Sequence, residues 1–156
     1  MKSVEAINIV RNKLRTNLQD PYALAGGNTR SGNMWIFADE PLVNSRFPVV
    51  QLLKVDNPTS VIDIGPNYME SEYLILNLWF KTKNGFKIWI NNIEYNNAQL
   101  VEYYQGLMKE TLKSKFLELH DEGVIYRHLN TGTIGYDPDT QLYFGSVTIR
   151  LWYFNR

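Results

Sequence analysis

Between Asn97 and His120 the chain carries its longest amphipathic stretch, and the rest of the fold has to cover one face of it. Leu100, Val101, Tyr104, Leu107, Met108, Leu112, Phe116 and Leu119 recur at spacings of three and four residues. That spacing puts them on a single stripe of an α-helix. Asn96 or Asn97 supplies a short amide oxygen for the first free N–H groups, and Gly123 offers a left-handed stop. A helix over these residues is roughly 36 Å long, enough to cross a small sheet. Lys115 falls inside the stripe, so its ammonium has to snorkel to the sheet edge or meet an acid. Tyr103, Gly106 and Leu117 gather on the opposite side. They are either ordinary exposed residues or a second contact surface, on which Gly106 lets another backbone approach.

Strand patterns flank the helix. Ser3–Leu18 reads as a first helix with Ser3 as its N-cap and Val4, Ile7, Val10, Leu14 and Leu18 as its stripe. Pro21–Asn33 is a polar connection containing Gly26, Gly27, Arg30 and Gly32. Structureless runs of that length are uncommon unless they bind something or order on assembly. Short strands follow at Met34–Ala38, Arg46–Val55 and Val61–Ile64, with Pro48 marking an edge or a strand start. Tyr73–Lys81 is apolar on nearly both faces, as a central strand is. Asn84-Gly85 is the preferred pair for a two-residue hairpin, which predicts a return strand through Phe86, Ile88 and Ile90. After the long helix, residues 124–154 read as a closing hairpin, long enough to project beyond the domain. In its last strand Val147, Ile149, Leu151 and Tyr153 alternate with Ser146, Thr148, Arg150 and Trp152. The whole predicts one α+β domain over residues 1–156. A mainly antiparallel sheet has the long helix and the N-terminal helix packed on one face.

Little in the chain points to chemistry. Sixteen basic residues balance sixteen acidic ones, so no overall field recruits nucleic acid or an anionic membrane. The absence of cysteine removes thiolate chemistry and cysteine zinc sites. Gly27 to Gly32 has the glycine spacing of a phosphate loop, but Asn33 and Met34 stand where Lys and Ser or Thr are required. His120 and His128 do not have the spacing of a helical metal pair. Asp63, Glu70 and Glu72 lack the strand-borne lysine of a metal-dependent nuclease, and Asp137 and Asp139 are turn residues around Pro138. Lys81, Lys83, Lys87 and Trp89 are the best candidates for nucleic-acid contact, although lysines also protect strands from edge pairing. These residues predict no catalytic site, no cofactor and no bound metal. The first residues, Met1 to Glu5, lack the apolar core of a signal peptide, and the most apolar run, Tyr73–Phe80, is too short to span a bilayer as a helix. The expectation is cytoplasmic synthesis without membrane attachment.

The order of an N-terminal helix, a strand with Arg46-Phe47-Pro48-Val49-Val50, a hairpin, one long helix and a closing hairpin resembles the tail-terminator and neck proteins of long-tailed viruses. The resemblance covers most of the chain and rests on element order and the Phe-Pro strand. It implies an α+β fold and a non-enzymatic virion protein that forms a ring, usually a hexamer, joining the tail-tube protein to a head-side connector or stopper protein. DNA would pass through the channel unread. The location implied is the neck or tail of the virion, with assembly in the host cytoplasm. The length of the Pro21–Asn33 loop leaves a head-completion or tail-tube protein open. A ring subunit needs two unlike surfaces. Tyr103, Gly106 and Leu117 are candidates for one, and the terminal hairpin with Arg150 and Trp152 for the other. Gly26, Gly27, Arg30 and Gly32 are candidates for a loop that orders on docking. A reading of another class is a small ligand-binding or enzymatic α+β domain, with its site between sheet and helix.

Overall fold

Helices at the start of the chain and after its middle, with alternating strands around them, assemble a mixed sheet and a separate two-stranded hairpin, seen in a computed structural model that describes residues 1–39, 46–55, 59–63 and 69–154. The first half runs α1 (Ser3–Asn17), α2 (Pro21–Leu24), β1 (Ile36–Ala38), β2 (Val49–Lys54), β3 (Thr59–Asp63) and β4 (Met69–Lys83). The second half is β5 (Lys87–Ile90), β6 (Ile93–Asn96), α3 (Asn97–Ser114), α4 (Phe116–Asp121), β7 (Val124–Thr131), β8 (Gly135–Asp137) and β9 (Leu142–Phe154). The main sheet follows the order β1-β2-β4-β9-β7, with β3 extending along β4 and β8 along β9. All its pairings are antiparallel except β1 with β2. The α+β expectation holds.

β4 and β9 form the spine, paired from Ser71 opposite Phe154 to Lys83 opposite Leu142. Alternation sends Leu74, Leu76, Leu78 and Phe80 of β4 to one face, together with Val147, Ile149, Leu151 and Tyr153 of β9. There they meet Ala6, Ile7, Val10 and Leu14 of α1 and Leu100, Val101, Tyr104, Met108 and Leu112 of α3. Each such side chain removed from water contributes roughly 1.5–3 kcal/mol, which makes this layer the main source of stability. Ile64 and the side chains of Asp63, Glu70 and Glu72 lie outside the described residues.

Four local expectations are corrected. The Asn84-Gly85 pair does not turn β4 back on itself, because both edges of β4 are already taken, by β9 on one side and by β2 and β3 on the other. β5 pairs with β6 instead. Their turn is Asn91-Asn92, with φ of 50° and 64°, the left-handed pair that a type I′ turn demands. The closing strand does not project: β9 is interior, held by β4 on one edge and by β7 and β8 on the other. α1 is capped one residue early, with the Lys2 backbone N–H donating to Glu5 Oε2 at 2.6 Å, and Val4 is exposed. The long helix breaks at Lys115. Ser114 Oγ donates to the Thr111 carbonyl at 3.0 Å, a local bond that competes with the helical ladder. Past the break Phe116 is exposed and packs edge-on to Tyr126, while Lys115 meets Glu118 at 3.2 Å.

Gly145 sets how closely α3 approaches β9. A Cβ there would stand 2.6 Å from Gln105 Nε2 and 2.7 Å from Val101 Cγ1. Gln105 is itself buried and donates to the carbonyls of Gly132 and Ser146, each at 3.1 Å. Gly145→Ala therefore has to push the helix off the sheet, at an expected cost of about 1–3 kcal/mol in urea unfolding. Unchanged stability would show that α3 is free to move.

Candidate functional site

The two sides of the sheet are dressed differently. α1, α3 and α4 lie on the side of the core, and among the described residues no helix packs on the other. The helix-free side presents Tyr73, Ile75, Asn77, Trp79 and Lys81 from β4, all half-buried. Beside them stand Phe144, Ser146, Thr148, Arg150 and Trp152 from β9, of which Ser146 alone is fully buried. Register places Tyr73 opposite Trp152, Ile75 opposite Arg150 and Asn77 opposite Thr148. Thr148 Oγ1 donates to Asn77 Oδ1 at 2.6 Å, and Trp79 meets Phe144 edge-on with centroids 6.0 Å apart. This is an amphipathic aromatic surface of the kind enriched at protein interfaces.

Arg150 sits within it. Its guanidinium carbon is 5.3 Å from the Tyr73 ring centre and 5.7 Å from that of Trp152, while its Nε is buried without a hydrogen-bond partner among the described residues. Arg127 of β7 is directly opposite in the ladder, and therefore on the same face. Among the described residues no acid pairs with either arginine. The spacing of Arg127 from Arg150 carries no such signal, because a bulge between His128 and Asn130 shifts the pairing of the two strands.

The three residues grouped opposite the helical stripe differ in exposure, with Tyr103 and Gly106 on α3 and Leu117 past the break on α4. Leu117 is 74% exposed. Gly106 is exposed, and a Cβ there would touch nothing. Tyr103 is half-buried under the β5–β6 hairpin, with its ring 5.2 Å from Tyr95 and 5.4 Å from Tyr104. Burial, then Tyr95, raises the pKa of its hydroxyl. Ile93, Glu94, Tyr95, Gln99, Glu102 and Tyr103 line an open notch of about 380 Å³ beside the hairpin.

The glycine-rich connection carries its own internal contacts. Asp20, 1% exposed, caps α2 through Tyr22 N–H at 3.0 Å and accepts the Arg30 N–H at 2.8 Å. It also takes the Arg30 guanidinium at 2.8–3.2 Å. Nη1 of Arg30 donates to the Arg46 carbonyl at 2.6 Å, and the guanidinium stacks on Tyr22 at 4.0 Å. Arg30 is thus spent on its own loop. Gly26 and Gly32 take positive φ of 89° and 63°, and Gly27 comes within 3.2 Å of the Tyr22 carbonyl when given a Cβ.

Chemistry finds little purchase. A cleft of about 270 Å³ between α1 and α4 holds Lys13, Lys115, Glu118 and Glu122, but its charges close on one another. Lys13 Nζ contacts Glu122 at 3.0 Å and Glu118 at 3.1 Å. The bond to Glu122 chiefly raises the Lys13 pKa, and the bond from Lys13 chiefly lowers that of Glu118. His120 is on α4 near Asp121, and His128 is on β7 beside Thr131. Among the described residues no three metal-ligating side chains cluster, and no helix is long and apolar enough to cross a membrane. No protein-family model matches the chain, and no curated protein matches its sequence.

Proposed function

We propose that the protein is a structural subunit that assembles head to tail into a ring at the head–tail joint of a long-tailed virus particle, between the tail tube and a head-side connector. The observation that carries this reading is a pair of unlike apolar surfaces on opposite layers. One is the helix-free sheet face around Trp79, Phe144 and Trp152. The other is the helix side, with Leu117 74% exposed and Ile93 57% exposed. A closed ring is built from contacts between unlike patches, whereas a two-fold dimer reuses one. The order α1, β2, β4, α3, β7, β9 is also the layout on which the resemblance to tail-terminator and neck proteins rests.

Gly106 supports the same reading. Among the described residues nothing requires a glycine there, since a Cβ meets open space, yet glycine within a helix costs about 1 kcal/mol relative to alanine. A neighbour's approach supplies the reason. Gly106→Ala is expected to stabilise the isolated chain by roughly 0.5–1 kcal/mol while weakening assembly, read by thermal unfolding and by sedimentation. Leu117→Asp is expected to leave circular dichroism and melting unchanged and to weaken self-association about tenfold or more, the value of one lost apolar contact. If Leu117→Asp assembles like the parent, the helix side is not an assembly surface.

A further inference from the structure

We propose that the arginine pair on the helix-free face and the acidic notch beside the β5–β6 hairpin are the two halves of one contact between copies. Arg127 and Arg150 of one chain would meet Glu102 and Glu94 of the next. The inference rests on the ring reading and specifies its contact chemistry.

Arg127 and Arg150 stand directly opposite in the ladder, a placement that repels when both residues are charged. Arg150 adds a buried Nε with no acceptor among the described residues. An isolated chain bears both costs, and a carboxylate arriving from outside removes both, because its two oxygens fit the guanidinium fork. The same chain carries that carboxylate on its other layer. Glu102 is exposed on α3 and has no ion pair among the described residues. Glu94 has only Lys87 at 3.2 Å, both side chains being about half exposed, a pairing of little strength. Glu102 lies one helical turn before Gly106 and therefore on the same face of α3, the position where a neighbour's backbone finds no obstructing side chain.

Apolar groups frame both halves. Tyr73, Ile75 and Trp152 flank Arg150, and Ile93 and Tyr95 line the notch. That match favours a protein surface over a phosphate backbone. One copy cannot join its own halves, since they lie on opposite layers. Contacts of this kind run from chain to chain until they close.

Charge reversal tests it with the full-length chain. Sedimentation would compare the parent, Arg127→Glu/Arg150→Glu, Glu94→Arg/Glu102→Arg, and a mixture of the two double variants, each checked for folding by circular dichroism. Glu102→Arg alone, on an exposed helical surface, serves as a variant that cannot perturb the core. The expected result is that the parent associates and loses association as salt rises, that each reversal abolishes it, and that mixing restores it. Parent rings that persist in every variant overturn the arginine–glutamate contact while leaving the ring reading standing. A parent that stays monomeric at its highest soluble concentration overturns both. Binding of a short duplex DNA that is lost with Arg127→Glu/Arg150→Glu, without any change in association, assigns the arginines to phosphate and overturns the contact.

Discussion

Asp20→Ala is expected to lower the unfolding free energy by about 3–4 kcal/mol, the cost of removing one partner from a buried ion pair, and the melting temperature by roughly 10 °C for a domain of this size. One carboxylate holds the turn into α2, the return of the chain at Arg30, and the Arg30 guanidinium itself. Its loss strands a largely buried arginine and releases the whole 21–33 segment. The pH dependence has a definite sign. Burial raises the pKa of Asp20, but the Arg30 guanidinium and the backbone N–H groups of Tyr22 and Arg30 together outweigh burial and hold it below its ordinary value. A lowered carboxylate contributes stability that is present above its unfolded pKa of about 3.9 and is lost as the pH falls through the folded value. The parent should lose stability on that acid limb, and Asp20→Asn, which keeps an acceptor but cannot ionise, should lack this part of the decline. Parallel acid limbs in the two proteins would mean that Asp20 is not charged in the fold.

Tyr104→Ala should cost about as much or more, about 3–5 kcal/mol in urea unfolding. The ring is fully buried, stacked on Phe80 with centroids 4.5 Å apart and edge-on to Trp35 at 5.8 Å. Its hydroxyl donates to the Gln19 carbonyl at 2.7 Å, joining α3 to the chain just before Asp20. Burial raises the pKa of that hydroxyl far above its usual range, so it remains a donor at any ordinary pH. Tyr104→Phe keeps the rings and loses only the bond, an expected cost of about 1 kcal/mol. A Tyr104→Ala loss below that of Tyr104→Phe would remove the aromatic cluster from its central place.

What the sequence made legible was whatever depends on near neighbours. The α3 stripe follows from spacings of three and four, and the inward face of β9 follows from alternation, so both appear as expected. Gly123 also takes the left-handed turn, with φ of 90°. The misreadings of strand pairing and loop order were decided by partners outside the local window, whereas the α1 cap and the break at Lys115 turned on the local bonds of Lys2 with Glu5 and of Ser114 with Thr111. Asn84-Gly85 is a sound local turn signal, overruled because β2 and β9 had claimed both edges of β4. Asp20 and Arg30, ten residues apart, looked like loop residues until the chain folded one onto the other. Tyr103 looked wet because helical periodicity alone does not show that the β5–β6 hairpin just before α3 folds back over it. Of the proposed contact surfaces, Leu117 and Gly106 were visible as breaks in the helical pattern, whereas the pairing of Arg127 with Arg150 exists only through strand register.

The proposed ring contact places apolar and charged groups on two opposite layers, so it requires a second copy. Electron micrographs of the purified protein, with its mass measured in solution at the same concentration, test that demand most directly. Closed rings of one diameter and a mass that is a fixed multiple of the chain are the expected result. Dispersed monomers of single-chain mass at every concentration would contradict it.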